Sequence, residues 1–152
     1  MVCMDVMTVM IDNLSQRLRE NHPGAVIDEE LITLAVKKTI LVGFLAQQLD
    51  PTDFIIVPDV TAASWEREGK EVHREVIRLI YSSRGNIIEN LIVQEDREIF
   101  FKIGDRITAS ADTTPVSLDD EELLTIILTG SRILDLRNMQ PLPELRRDRD
   151  YN

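Results

Sequence analysis

"TAASWEREGKEVHREVIRLIYS" (Thr61–Ser82) decides the architecture, because it reads in two ways. Trp65, Val72, Val76, Ile77 and Ile80 recur at helical spacings, and Gly85 lies just beyond as a stop signal. This pattern predicts a helix over Thr61–Ser82. Gly69, in its middle, costs a helix about 1 kcal/mol relative to alanine. The rival reading places a turn at Gly69 and a strand over Glu71–Tyr81. The helix is the expectation adopted here.

Upstream, Met7, Met10, Leu14 and Leu18 form one apolar stripe, which predicts a helix over Met4–Glu20 that Pro23 and Gly24 break. Asp28 suits the N-cap of a second helix, with Glu29 and Glu30 favourable in its first turn. Leu31, Leu34, Ala35, Leu41, Phe44, Leu45 and Leu49 give that helix an apolar face wide enough for burial on more than one side. Asp50-Pro51 ends it. Phe54–Val57 reads as a short buried strand closed by Pro58.

Downstream, Ile87–Val93 and Ile99–Ile103 read as a hairpin about Asp96-Arg97. A tight turn there sets Val93 against Phe100 and Ile92 against Phe101. The next connection, at Gly104-Asp105, needs a bulge or a three-residue loop to set Phe101 against Ala109. Ser117 caps a helix whose first turn is acidic, with Asp120 positioned for a capping-box-like pair and Gly130 as its stop. Arg132–Leu136 reads as a last strand. The order is α-α-β-α-β-β-β-α-β. It predicts one α+β domain over 1–136, a mainly antiparallel sheet of about four to five strands flanked by about four helices. Residues 137–152 form a mostly irregular tail.

The totals bound the function. At 152 residues the chain is one domain's length, and 43% apolar with 29% charged residues is ordinary globular usage. A net charge of −10 repels phosphate backbones, so no nucleic-acid partner is expected. Arg146, Arg147 and Arg149 cluster, but Asp148 and Asp150 interrupt them, as in a solvated tail. Cys3 is the one cysteine, which excludes an intramolecular disulfide and suits a reducing compartment. The opening lacks a basic segment, so it fails as a signal peptide. The longest uncharged run, Thr39–Leu49, has 11 residues and is too short to cross a bilayer. A cytoplasmic location and no membrane contact are expected.

Catalytic motifs are scarce. The charged stretch Gln94–Ser110 reads as turn punctuation, with Glu95, Asp96, Arg97, Glu98 and Asp105 solvated beside the bends. No GxSxG, GxGxxG or GxxxxGK[ST] occurs, and no HExxH or CxxC supports a zinc site. His22 falls in a loop. His73, between Glu71 and Glu75, diverges from both on a helix and shares their face only on a strand. Cys3 lacks an evident base to activate it.

Pro58-Asp59 followed by Glu68-Gly69-Lys70 resembles the PD…(D/E)xK motif of divalent-metal nucleases. The order α-β-β-β-α-β from the third helix onward is similar to the restriction-endonuclease-like core. The resemblance implies that Asp59 and Glu68 hold a cation while Lys70 activates or positions water. In that family the motif lies on the hairpin strands after the first core helix, whereas here it precedes or enters that helix. The same order, the small size and a pI of about 4.6 are also similar to acidic secretion chaperones, at the level of fold alone.

The hairpin offers a different functional surface. If Ile92, Phe101 and Ile103 face the core, Leu91, Val93 and Phe100 face the opposite way. An apolar group on a second sheet face is buried by the chain's own elements or by a partner. The leading expectation is a non-enzymatic acidic protein-interaction domain, an adaptor or chaperone-like homodimer, binding another protein or a second copy through Leu91, Val93 and Phe100. No cofactor or metal is expected. The alternative is a divalent-metal nuclease or phosphodiesterase using Asp59, Glu68 and Lys70.

Overall fold

In the computed structural model, which describes residues 6–51, 53–103, 106–111 and 114–131 (backbone alone for 106–111 and 129–131), Thr61–Ser82 belongs to a β-hairpin. Strand β1 (Ile55–Arg67) pairs antiparallel with β2 (Lys70–Ser83) from Ile55↔Ser82 to Arg67↔Lys70. The expected helix is therefore replaced by the turn-and-strand alternative. Two local features explain it. Glu68 (φ 53°) and Gly69 (φ 77°) both adopt left-handed backbone, as a two-residue turn matched to strand twist requires. Val76 and Ile77 are both buried, on opposite faces of one strand. Adjacent burial of this kind breaks the alternation of a half-exposed strand and imitates a helical stripe.

Glu68 occupies a backbone region that side chains disfavour, and asparagine tolerates it better. Glu68→Asn is expected to stabilise the protein by about 0.5 kcal/mol, read as a small upward shift in the urea midpoint with unchanged slope. A lowered midpoint would count against this turn geometry.

The expected strand Phe54–Val57 also proves too short. β1 runs through Pro58 to Arg67. Proline is tolerated because β1 is an edge strand, where a missing N–H interrupts no ladder if it faces outward. Strands β3 (Asn86–Val93), β4 (Glu98–Ile103) and β5 (Arg106–Ala111) complete a five-stranded antiparallel sheet in the order β1-β2-β3-β4-β5. Arg84 (φ 49°) and Gly85 (φ 89°) repeat the left-handed turn between β2 and β3. The β3–β4 turn is longer than expected, spanning Gln94–Arg97, so Leu91 faces Phe100, Ile92 faces Ile99 and Val93 faces Glu98. This differs from the expected register by two residues. Because side chains alternate with period two, each keeps its expected face. Beside the β4–β5 connection Ile103 pairs with Arg106 rather than with the expected Ile107; the register shift falls further along the ladder, between Phe101 and Lys102, and brings Phe101 opposite Ala109 as expected.

Helices α1 (Val6–Asn21), α2 (Glu29–Leu45) and α3 (Leu118–Ser131) give the order α-α-β-β-β-β-β-α, with three helices among the described residues rather than about four. The α+β class and antiparallel sheet stand. No helix among the described residues is long and apolar enough to cross a membrane. Asp28 caps α2, its carboxylate accepting from Leu31 N at 3.1 Å, and Ser117 Oγ accepts from Asp120 N at 3.2 Å to cap α3. α2 ends at Leu45, before the expected Asp50-Pro51 stop, and α3 continues past Gly130. The expected strand Arg132–Leu136, the tail 137–152 and Cys3 lie outside the described residues.

All three helices serve one face of the sheet. α1 packs against β1, α2 lies over β3 and also touches α1 and α3. The core between the layers joins Met10, Leu14 and Leu18 of α1 and Leu31, Ile32, Ala35 and Ile40 of α2 to sheet residues including Ile56, Leu79, Ile92 and Ile99. α2 is apolar around most of its circumference because it is the central helix of the layer. At the core's centre, Asn90 Oδ1 accepts from Tyr81 Oη at 2.6 Å and Thr39 Oγ1 at 3.0 Å. All three are fully or almost fully buried. Burial holds the Tyr81 hydroxyl neutral, its pKa far above the ordinary phenol value, with a hydrogen bond from Thr39 only partly opposing this.

Candidate interaction surface

The opposite face carries no helix among the described residues, yet it is not open. Val60, Ile77, Ile92 and Ile99 form one row across the sheet on the helix side. Trp65 lies five positions above this row on β1, and Phe100 lies one below it on β4. Both point to the other side. In a flat sheet they would be about 25 Å apart. Their ring centroids are 6.2 Å apart, edge to face. The distal end of the β1–β2 hairpin therefore bends across the outer face. Long strands twist and coil, and here the coiling becomes a fold-over.

Charge fastens the bend. Arg67 donates to Glu98 and lies 3.5 Å from Asp96. Arg74 reaches Glu95 at 3.1 Å and Asp96 at 3.2 Å. Arg67 also lies over Trp65, 5.7 Å from the ring centroid. The hydrogen bond to Glu98 raises the already high pKa of the Arg67 guanidinium. On the other side of the turn, Gln94 bridges to the start of α2, accepting from Asp28 N and donating to Val26 O, both at 2.7 Å. Arg97 meets Asp28 at 3.1 Å. The charges expected to be free turn punctuation are thus fasteners joining β3–β4 to the hairpin tip and to α2. Arg67 and Arg74 on one hairpin against Glu95, Asp96 and Glu98 around the next turn are pairings that a single-segment reading misses.

The bend splits the expected surface residues. Val93 is completely buried beside Val76, on the outer side of the sheet, so it lies inside a second, small core. Leu91 and Phe100 are half-buried and directly opposed. Together with Val57 and Ile80, also half-buried, they line the uncovered part of this face. Across it runs a ladder of charges. Arg78 lies 3.4 Å from Asp59 and 3.7 Å from Glu89, and Glu89 lies 3.8 Å from Lys102. The Glu89 side chain is only 13% exposed, and its Oε1 and the Nε of Arg78 are buried without a hydrogen-bond partner among the described residues. Buried polar atoms of this sort carry a desolvation cost that a partner's donors and acceptors would relieve.

The residues of the nuclease resemblance are not brought together. Asp59 lies mid-strand, paired with Arg78, while Glu68 and Lys70 sit at the exposed tip of the hairpin, nine residues along the chain from Asp59 in the case of Glu68. The strand geometry does align Glu71, His73 and Glu75. His73 Nδ1 meets Ser64 Oγ at 2.7 Å and Nε2 meets Glu71 at 3.3 Å. Ser64 and His73 line a cleft of about 410 Å³, but the His73 and Glu71 side chains are each 68% exposed, so water screens the chain of contacts. No group of three metal-ligating side chains occurs among the described residues. Comparison with protein-family models, curated proteins and solved structures finds no match.

Proposed function

We propose that this protein works by contact, as an adaptor or chaperone-like domain whose outer sheet face receives an apolar segment of another protein. The observation that carries this reading is the pair Leu91 and Phe100, directly opposed on a sheet face that no described helix covers. Val93 supports the surface from beneath rather than touching a partner, since it is fully buried. Arg78, beside Leu91, and Glu89, beside Ile80, cross the face between its apolar residues, with Asp59 and Lys102 at their far sides, so a partner segment would meet apolar and charged groups together. The domain acts without metal or cofactor in this reading.

An anionic naphthalene dye such as anilinonaphthalene sulfonate is a suitable probe, because Leu91 and Phe100 supply an apolar bed beside Arg78 and Lys102. The folded wild type is expected to enhance its fluorescence, and Leu91→Glu to abolish most of the enhancement while leaving far-ultraviolet circular dichroism intact. No enhancement by the folded wild type, or equal enhancement by Leu91→Glu, rules out the outer face as a binding surface.

A further inference from the structure

We propose that a second copy of this chain pairs with the free edge of β1, antiparallel about Ala63, joining two sheets into one. The inference goes beyond the contact-domain reading, by assigning self-association to a different surface from partner binding.

β1 is the outermost strand, and outside its ladder with β2 no described residue hydrogen-bonds the backbone of Val60–Glu66. An edge of this length is a template for another strand unless something blocks it. Two features set the limits of the template. Pro58 sits within the β1–β2 ladder without interrupting it, so its nitrogen faces away from β2. By alternation, the outward N–H and C=O groups beyond it belong to Val60, Ala62, Ser64 and Glu66. Pairing cannot extend past Pro58 at one end or past the Glu68-Gly69 turn at the other. The free segment is therefore Asp59–Arg67, and its midpoint is Ala63.

A two-fold axis through Ala63 satisfies this segment. Val60 faces Glu66 and Ala62 faces Ser64, each pair exchanging backbone hydrogen bonds. Asp59 of each copy faces Arg67 of the other. Their side chains are 40% and 39% exposed; Asp59 already lies 3.4 Å from Arg78 and 3.8 Å from His22, and Arg67 already meets Glu98 and Asp96, so the pair between copies extends charge networks formed within each copy. Centring the pairing on Ala62 instead sets Asp59 against Trp65 and Pro58 against Glu66, which forfeits both the charge match and a bonded pair. Centring it on Thr61 sets Asp59 against Ala63. Only the Ala63 register matches charge with charge while keeping the two outer faces continuous.

The net charge of −10 on each copy opposes association at long range. The two Asp59–Arg67 contacts act at contact distance, inside the screening length of about 8 Å at physiological salt.

The test uses full-length chains carrying Cys3→Ser with either Ala63→Cys or Thr61→Cys. In the proposed register residue 63 faces its own symmetry mate in a non-hydrogen-bonded pair, with Cα atoms about 4.5 Å apart, as a disulfide allows. Residue 61 is four positions, or about 14 Å, from its mate. With oxidised glutathione, Ala63→Cys is expected to give a covalent dimer on a non-reducing gel, at least tenfold faster than Thr61→Cys. Light scattering of the uncross-linked wild type is expected to show a dimer that Ala62→Pro converts to monomer, since this removes an outward N–H as Pro58 does. A wild type that stays monomeric at high micromolar concentration overturns the proposal, as do equal cross-linking rates at the two positions. Dissociation by Leu91→Glu but not by Ala62→Pro would also overturn it, by placing the second copy on the outer face. Failure of the dye experiment with success here removes the partner surface and leaves the edge dimer standing.

Discussion

Asn90→Asp is expected to destabilise the protein by about 4 kcal/mol at neutral pH and to be nearly silent near pH 3. Asn90 is completely buried, between Leu79 and Phe101 in the cross-sheet register, with its oxygen taking two hydroxyl hydrogen bonds. A carboxyl group there loses no protein acceptor, because Asn90 Nδ2 has no hydrogen-bond partner among the described residues. The protonated acid is therefore a fair replacement. The ionised form is not, because the surroundings are otherwise hydrocarbon and desolvation drives the pKa upward. A rise of about three units from the ordinary aspartate value of about 3.9 corresponds to about 4 kcal/mol. The sign follows from proton binding. The folded variant holds its proton to higher pH than the unfolded chain, so the penalty is absent below pH 3.9 or so. It grows as pH rises and is complete once pH passes the folded value. Urea unfolding of variant and wild type, compared at each pH, measures it. A difference that stays constant between pH 4 and 7 would mean that residue 90 is hydrated or relocated.

Val93→Asp is expected to release the bent end of the β1–β2 hairpin. The side chain is fully buried on the outer side of the sheet, beside Val76 and under the cover that Trp65 helps to form. An unpaired carboxylate at such a site costs about 3 to 5 kcal/mol, more than the exposed ion pairs of Arg67 and Arg74 contribute. The local clasp therefore gives way before the helix-side core, which Val93 does not touch. Trp65 is the sole tryptophan, so its emission reports the opening directly. A red shift with far-ultraviolet circular dichroism retained is the expected signature. Ile92→Ala is the contrast. Ile92 belongs to the helix-side core, and its truncation is expected to lower global stability by about 2 to 4 kcal/mol without shifting native Trp65 emission. Unchanged emission in Val93→Asp would dismiss the fold-over as the source of Val93 burial.

Local chemistry specified much of this molecule. The caps at Asp28 and Ser117 and the stripe on α1 follow from a few neighbouring residues and came through unchanged, whereas the apolar face of α2 loses Leu45, which is exposed, and Leu49, which lies beyond the helix. The faces of Leu91, Val93 and Phe100 also came through, although the register moved, because an even shift preserves alternation. Thr61–Ser82 failed for a nameable reason. Its apolar spacing records burial on two sides, by the helix layer below Ile77 and by the hairpin's own tip above Val76. Periodicity counts buried positions without saying what buries them. The left-handed turn at Glu68-Gly69 was the better local signal, since a non-glycine followed by glycine at a two-residue spacing between paired strands has few other uses.

The candidate surface divides along the same line. Which side chains could share a sheet face was readable from alternation alone, a property of the extended backbone. Which of them stay accessible depended on contacts between segments far apart in the chain. Arg67 with Glu98 and Trp65 with Phe100 are each more than thirty residues apart, and no local rule couples them. Those contacts bury Val93, leave Leu91 and Phe100 half-covered, and aim the Asp59–Arg67 edge outward. Interactions within a few residues dictate backbone conformation and facing. Distant pairs compete for the same surface, and that competition resolves only when the strands coil.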